Sequence, residues 1–166
     1  YFWTLFQGGT ETINGTLYTY DKNPNYAPLT PITDKVSLQD AIALWVDPGM
    51  HDIALMGYGD INDWDVSGVT DMSNLFKFNS TFNSNINNWN VSNVTNMAHM
   101  FWYATIFNQP LDKWNTSKVT NMNTMFNGTD AFNQDINTNV QTRNDGTQYV
   151  AWDVSNVENM TDMFSV

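Results

Sequence analysis

Large apolar residues return along this chain every 25 positions, each time inside the same polar frame. Trp64, Trp89 and Trp114 are 25 residues apart, and Trp152 follows 38 later, which is the period plus 13. Their flanks align with them: INDWDVSGVTDMSNLF, INNWNVSNVTNMAHMF, LDKWNTSKVTNMNTMF and AWDVSNVENMTDMF. Phe82-Asn83, Phe107-Asn108 and Phe132-Asn133 precede the second to fourth copies with the same period. Self-similarity at a fixed period of about 20–50 residues marks repeats that bury their apolar faces only by stacking.

Within the second unit, Val94, Met97, Met100, Phe101 and Ala104 stand at i, i+3, i+6, i+7 and i+10. That spacing predicts a short helix, with Ser92 or Asn93 placed to cap it. The following stretch carries Phe107, Leu111 and Trp114, is too short for a helix, and reads as a short strand with turns. The expected fold class is therefore an α/β repeat solenoid with one short strand and one short helix per unit. Met72, Met97, Met100, Met122, Met125, Met160 and Met163 recur in the repeated segment, as do Phe76, Phe101, Phe126 and Phe164. A methionine stripe could form a partner groove or a soft metal site, but its periodicity favours a core ladder.

The 13 extra residues fall between Ile136 and Trp152. An Asn144-Asp145-Gly146 turn signal lies there, flanked by Val140 and Thr142 on one side and Tyr149 and Val150 on the other, a hairpin pattern near 138–150. Upstream, SLQDAIALWV from Ser37 predicts an amphipathic helix, stopped by Asp47-Pro48-Gly49, that caps the first unit. Residues 1–33 read as an extended aromatic and Thr-rich arm, 34–60 as capping helix and lead-in, and 61–166 as four units with the insert. No capping segment follows Phe164, so the last unit is expected to leave its apolar ladder uncovered. The chain begins at Tyr1 without Met or a signal peptide and looks processed or excerpted.

Composition narrows the function. Six Lys and Arg against 17 Asp and Glu give a net charge of −11, which argues against nucleic acid and anionic membrane surfaces as partners. Cysteine is absent, which removes disulfides, thiolate metal sites and cysteine nucleophiles. No apolar run is long enough to span a membrane. Asn occurs 24 times, an excess expected where side-chain amides satisfy turn after turn.

Candidate chemistry is sparse. His51 and His99 have no evident reason to meet, and His99 occupies a position taken by Asn74 and Thr124 in neighbouring units, so it is expected in solvent. Asp60, Asp63 and Asp65 cluster, but Asp63 becomes Asn88 and Lys113 in later units, as an exposed position would. No cofactor is expected; calcium on Asp60, Asn62, Asp63 and Asp65 is a minor option, since the glycine and terminal glutamate of a helix-loop-helix calcium loop are missing. Asn-x-Ser/Thr acceptors are dense: Asn14, Asn79, Asn90, Asn93, Asn115, Asn127 and Asn159. Asn79 and Asn127 are expected to carry glycan from exposed loops on one side.

The unit WDVSNVxNMxxMF with FNQDI resembles the repeat of BspA-like leucine-rich-repeat surface proteins. The likeness covers roughly residues 34–166, with FNQDIN at 132–137, AWDVSNVENMTDMF at 151–164, Leu44-Trp45 in the leading helix and Tyr58-Gly59-Asp60-Ile61 before the first unit. It implies a secreted or surface protein with adhesive or structural roles and no catalytic residues. The expected function is thus an extracellular, non-enzymatic structural or adhesive protein that joins copies of itself head to tail into a glycosylated fibre or surface layer. Tyr1, Phe2, Trp3, Leu5 and Phe6 would meet Met163, Phe164 and Val166 of the next copy, a heterologous contact that propagates. The alternative is a monomeric recognition module that binds a surface protein or glycan through one face.

Overall fold

The computed structural model describes residues 9–13, 16–20 and 31–165. Strands β1 (Gly9–Ile13) and β2 (Thr16–Tyr20) pair antiparallel, with Gly9 opposite Tyr20 and Ile13 opposite Thr16. The Thr- and Tyr-rich run therefore pairs with itself instead of remaining a single extended arm. Its β-branched and aromatic residues suit a pleated ribbon.

Helix α1 (Lys35–Val46) starts two residues earlier than Ser37 suggested. Asp34 is the N-cap: its carboxylate accepts the Ser37 N–H at 2.9 Å, while the Ser37 hydroxyl accepts the Asp34 N–H at 3.1 Å, a reciprocal capping box. Helix α2 (His51–Tyr58) follows and was not expected. Its apolar set, Ile53, Ala54 and Gly57, spans little more than one turn, and Gly59 ends it at φ 74°. Neither helix is long and apolar enough to cross a membrane.

The α/β solenoid with a helix and a strand in each unit is overturned. Among the described residues, both α-helices and a 3-10 turn at Ile61–Asp63 precede Trp64, and the only strands are those of two separate hairpins. The repeated segments consist of turns and single parallel bridges, Asp71 with Asn96, Asn96 with Asn121, and Asn121 with Asn159. Val94, Met97, Met100, Phe101 and Ala104 are all buried, as the spacing required, yet they lie on no helix. A helix closes its amide bonds within one segment, whereas here alternate amides reach the next copy. Met97, His99, Phe101 and Tyr103 donate to the carbonyls of Asn121, Asn123, Met125 and Asn127 at 2.8–2.9 Å. Met72, Asn74, Phe76 and Phe78 donate likewise to Asn96, Ala98, Met100 and Trp102, and Met122, Thr124, Phe126 and Gly128 to Asn159, Thr161, Met163 and Ser165. Left-handed residues at Asn74, His99, Thr124 and Asp162 interrupt any helical run. The stretch from Phe107 to Trp114 forms turns, not a strand, with Phe107, Leu111 and Trp114 all buried.

These bonds bring equivalent side chains into ladders. Phe76, Phe101, Phe126 and Phe164 stack at successive centroid distances of 5.4, 5.4 and 5.5 Å. Phe82, Phe107 and Phe132 form a second ladder. From the second copy on, the repeated tryptophan's indole N–H finds a carbonyl in the preceding copy: Trp89 bonds Ile61, Trp114 bonds Ile86 and Trp152 bonds Leu111, at 2.6–3.1 Å. Buried Trp thus satisfies its one donor while contributing its large apolar surface. Helix α1 covers the first copy. Leu38, Ala41 and Ile42 join the core, and Lys35 Nζ reaches Asp71 Oδ2 at 3.1 Å and Ser73 Oγ at 2.6 Å.

The 13 extra residues form the expected hairpin, β3 (Asn139–Thr142) with β4 (Gln148–Ala151), Thr142 opposite Gln148. Its five-residue loop closes through Gly146 N–H to the Arg143 carbonyl and Arg143 N–H to the Thr147 carbonyl, with Gly146 at φ 84°.

Candidate functional site

The asparagine excess has a structural use. Asp65, Asn90, Asn115 and Asp153 each accept, through a side-chain oxygen, the backbone N–H two residues on, from Ser67, Ser92, Ser117 and Ser155. Asp71, Asn96, Asn121 and Asn159 repeat this with Ser73, Ala98, Asn123 and Thr161. Asn83 and Asn108 cross between copies to the N–H groups of Asn108 and Asn133, both at 2.9 Å. Only a short side chain ending in a carbonyl-type oxygen closes such a turn, so Asn and Asp interchange. The donors also hold Asp65 below the usual carboxylate range, the Ser67 hydroxyl first and its N–H second. Burial pushes Asp71 up, but bonds from Ser73 and Lys35 outweigh it and its pKa is lowered.

The glycan acceptors are largely engaged in these turns. Asn90 and Asn159 are exposed, and Asn79 and Asn115 are half-buried. Asn93 is exposed, but its amide nitrogen donates to the Ser67 carbonyl at 2.9 Å. Asn127 lies within the ladder, not in a loop: its carbonyl accepts the Tyr103 N–H and its Oδ1 accepts the Trp102 indole N–H at 3.0 Å. Thr129 of the same acceptor triplet is buried, with its hydroxyl on the Phe101 carbonyl. Asn14 lies outside the described residues.

Of the proposed joining residues, Tyr1, Phe2, Trp3, Leu5, Phe6 and Val166 also lie outside the described residues. Met163 is buried, whereas Phe164 is 56% exposed and, among the described residues, stacks on Phe126 alone. The amides of Met160, Asp162 and Phe164, equivalent to the donors Met122, Thr124 and Phe126, bond no described residue.

His51 and His99 are not brought together. His51 Nδ1 lies 2.8 Å from the Trp45 carbonyl, with its ring edge-on to that indole. His99 is half-buried against Trp102, and burial, then the Lys77 charge, lower its pKa. Asp60, Asn62 and Asp65 spend side-chain oxygens on the N–H groups of Asn62, Asn88 and Ser67, and no group of three acidic or histidine side chains converges among the described residues.

Two surface features were missed by the sequence reading. The first is a cluster of uncovered rings. Phe78 is 60% exposed and Tyr103 47%; their rings stack at 5.8 Å, and the half-buried Trp102 ring lies 5.0 and 5.9 Å from them. Lys77 Nζ lies 4.4 Å from the Trp102 ring. Phe78 and Tyr103 occupy equivalent positions in successive copies at φ 60° and 55°, and Gly128, φ 63°, fills that position in the third. An added Cβ on Gly128 would come within 2.7 Å of the Tyr103 ring, so the glycine also makes room for the tyrosine. The signal was present as Phe78, Tyr103 and Gly128 at the 25-residue period, but they match no apolar stripe.

The second feature is a cleft of about 630 Å³ between the β3–β4 hairpin and the face carrying Asn88, Asn90 and Asn115. Tyr149 pins the hairpin by donating its hydroxyl to the Lys113 carbonyl at 2.6 Å, and the Arg143 guanidinium lies 4.5 Å from the Tyr149 ring centroid. Burial raises the Tyr149 pKa, which keeps that hydroxyl a donor.

No curated protein and no solved structure matches the chain. A family profile matches residues 50–165, from the start of α2 to the end of the last copy. It covers every repeated tryptophan, both ring ladders and the hairpin insert, and on that match the chain belongs to DUF285, the family described as Mycoplasma protein of unknown function.

Proposed function

We propose that the chain is a non-enzymatic adhesive module of a cell surface, holding a partner through the exposed rings of Phe78 and Tyr103 beside the half-buried Trp102. One observation carries this reading. Phe78 and Tyr103 are bulky residues in the left-handed region, which costs an L-residue about 1–2 kcal/mol. Their rings remain in water, so burial does not offset that cost. Gly128 meets the same backbone requirement without strain, so the turn itself does not call for a ring. Asn74, His99, Thr124 and Asp162 share one left-handed register of the turns and left-handed Trp152 is buried, whereas Phe78 and Tyr103 hold large rings on the surface at a position glycine also fills, which favours binding. The stacked turns hold the rings in fixed positions, so little side-chain entropy is lost when a partner docks.

The test is retention of fluorescently labelled chain on cultured epithelial cells, scored by flow cytometry. Phe78→Gly with Tyr103→Gly should lower retention about tenfold, roughly 1.4 kcal/mol, without lowering the melting temperature. Undiminished retention would remove the reading.

End-to-end joining of copies is the second reading, favoured by the exposed Phe164 ring and by the amides of Met160, Asp162 and Phe164, which bond no described residue. Helix α1 occupies the opposite end, so the joint in this reading is the segment from Tyr1 to Phe6. Light scattering that stays monomeric across a concentration series would discard it.

A further inference from the structure

The cleft beneath the β3–β4 hairpin shares no residue with the aromatic cluster, and its polar groups are unequal in a way that selects a ligand. The oxygens of its asparagines are already used. Asn90 Oδ1 accepts from Ser92, and Asn115 Oδ1 accepts the Ser117 N–H at 3.2 Å. Asn88 Oδ1 accepts the Lys113 ammonium at 3.2 Å. Backbone N–H and ammonium groups can only donate, so these bonds fix each amide with its oxygen turned inward. The Nδ2 donors of Asn88, Asn90 and Asn115 bond no other described residue, and neither does the Arg143 guanidinium.

Charge points the same way. In a chain of net charge −11 with six basic residues, Lys113 and Arg143 both line this cleft. Asp145 is the single acid of the lining, and its Oδ1 is held by the Thr147 N–H and hydroxyl. Asp112 bonds the Asn87 amide at 2.7 Å and its charge also acts on Tyr149, so Lys113 and Arg143 leave room for no more than a single negative group. A polyanion would be repelled by the rest of the molecule. The remaining donors face a partner rich in neutral acceptor oxygens. A volume near 630 Å³ lies within the range of about 300–1,000 Å³ usual for small-ligand sites. Of the large apolar lining residues, Trp89 and Val91 are buried, and the half-buried Tyr149 ring lies beside the Arg143 guanidinium, an arrangement suited to a ligand with both polar and apolar faces, as a sugar has.

We infer that this cleft binds a short oligosaccharide bearing one carboxylate. The acid group sits between Arg143 and Lys113, and hydroxyl and ring oxygens accept from Asn88, Asn90 and Asn115. Asn90 and Asn115 are also glycan acceptors, so an attached glycan on either would occupy the same donors.

The experiment uses the full chain made in a host without N-glycosylation, titrated by calorimetry with 3′-sialyllactose and, as the uncharged control, lactose. Sialyllactose should bind at least tenfold tighter than lactose. Arg143→Gln should weaken it about tenfold while leaving the melting temperature unchanged, since Arg143 is exposed. Asn115→Asp keeps the turn-closing oxygen but loses the donor, and should weaken binding with the fold intact. Equal affinity for the two sugars, no heat up to about 10 mM, or an Arg143→Gln chain that binds like the parent would each overturn the assignment.

Discussion

Phe101→Ala isolates what the ring ladder contributes. The Phe101 ring is fully buried, 5.4 Å from both Phe76 and Phe126 and 4.2 Å from Phe107. Its backbone N–H bonds the Met125 carbonyl, and alanine keeps that bond, so the change reports on the side chain. Burial of the ring is worth about 1.5–3 kcal/mol, and the void left behind adds to the loss. Aromatic pairs add about 0.5–1.5 kcal/mol beyond area, though the four pairs around this ring, with Phe76, Phe107, Trp114 and Phe126, do not sum independently. Neighbouring copies are pinned by their own hydrogen bonds and cannot close the gap. The cost should therefore fall in the upper half of the Phe→Ala range, about 4–5 kcal/mol. Phe164 is the internal control, with the same residue in the same ladder. It is 56% exposed and stacked on one ring at 5.5 Å, so Phe164→Ala should cost about 1 kcal/mol. Urea unfolding measures both, provided the slopes agree with that of the parent. Equal costs, or a Phe101→Ala cost below about 2 kcal/mol, would refute the idea that stacked rings between copies are the main source of stability.

Gly128→Ala should destabilise by more than the roughly 1–2 kcal/mol of its left-handed backbone, because the new Cβ also meets Tyr103 at 2.7 Å. Combining it with Tyr103→Ala should recover the steric part, and strict additivity of the two changes in a double-mutant cycle would contradict this contact. Stability should also fall with acid in two steps. His99 has a lowered folded pKa, so the unfolded chain takes up more protons as pH drops through the ordinary value of 6.5 and stability declines there. Asp65, Asp71 and Asp153 are lowered as well, so their contribution is whole above 3.8 and is lost as pH falls through 3.8 and below. His99→Asn should remove the upper step alone, and a urea midpoint that rises between about pH 7 and 5 would contradict the sign.

The sequence alone determined the 25-residue period, most of the buried positions, the capping helix and the inserted hairpin, although Met160 and Phe164 in the same register are 43% and 56% exposed. Each of these depends on local chemistry: a Trp or Phe at fixed spacing leaves water where a copy stacks on it, Asp34 and Ser37 can cap a helix, and Asn-Asp-Gly can turn a chain. It did not determine the backbone between the buried positions. Val94, Met97, Met100, Phe101 and Ala104 satisfy a helical period and are all inward, yet a ladder of turns places them inward equally well. What separates the two is where the amides of Met97, His99, Phe101 and Tyr103 find acceptors, and those lie 24 residues away. No local pattern encodes that partner; it exists only once the next copy is in place. The same holds for the surface. Phe78, Trp102 and Tyr103 are 24 and 25 residues apart in sequence and become one cluster only through stacking, and Arg143 meets the amides of Asn90 and Asn115 only because the hairpin folds back over copies that precede it. Burial follows for the most part from each residue and its spacing, whereas these sites are properties of contacts between copies, and the tertiary structure alone decides those contacts.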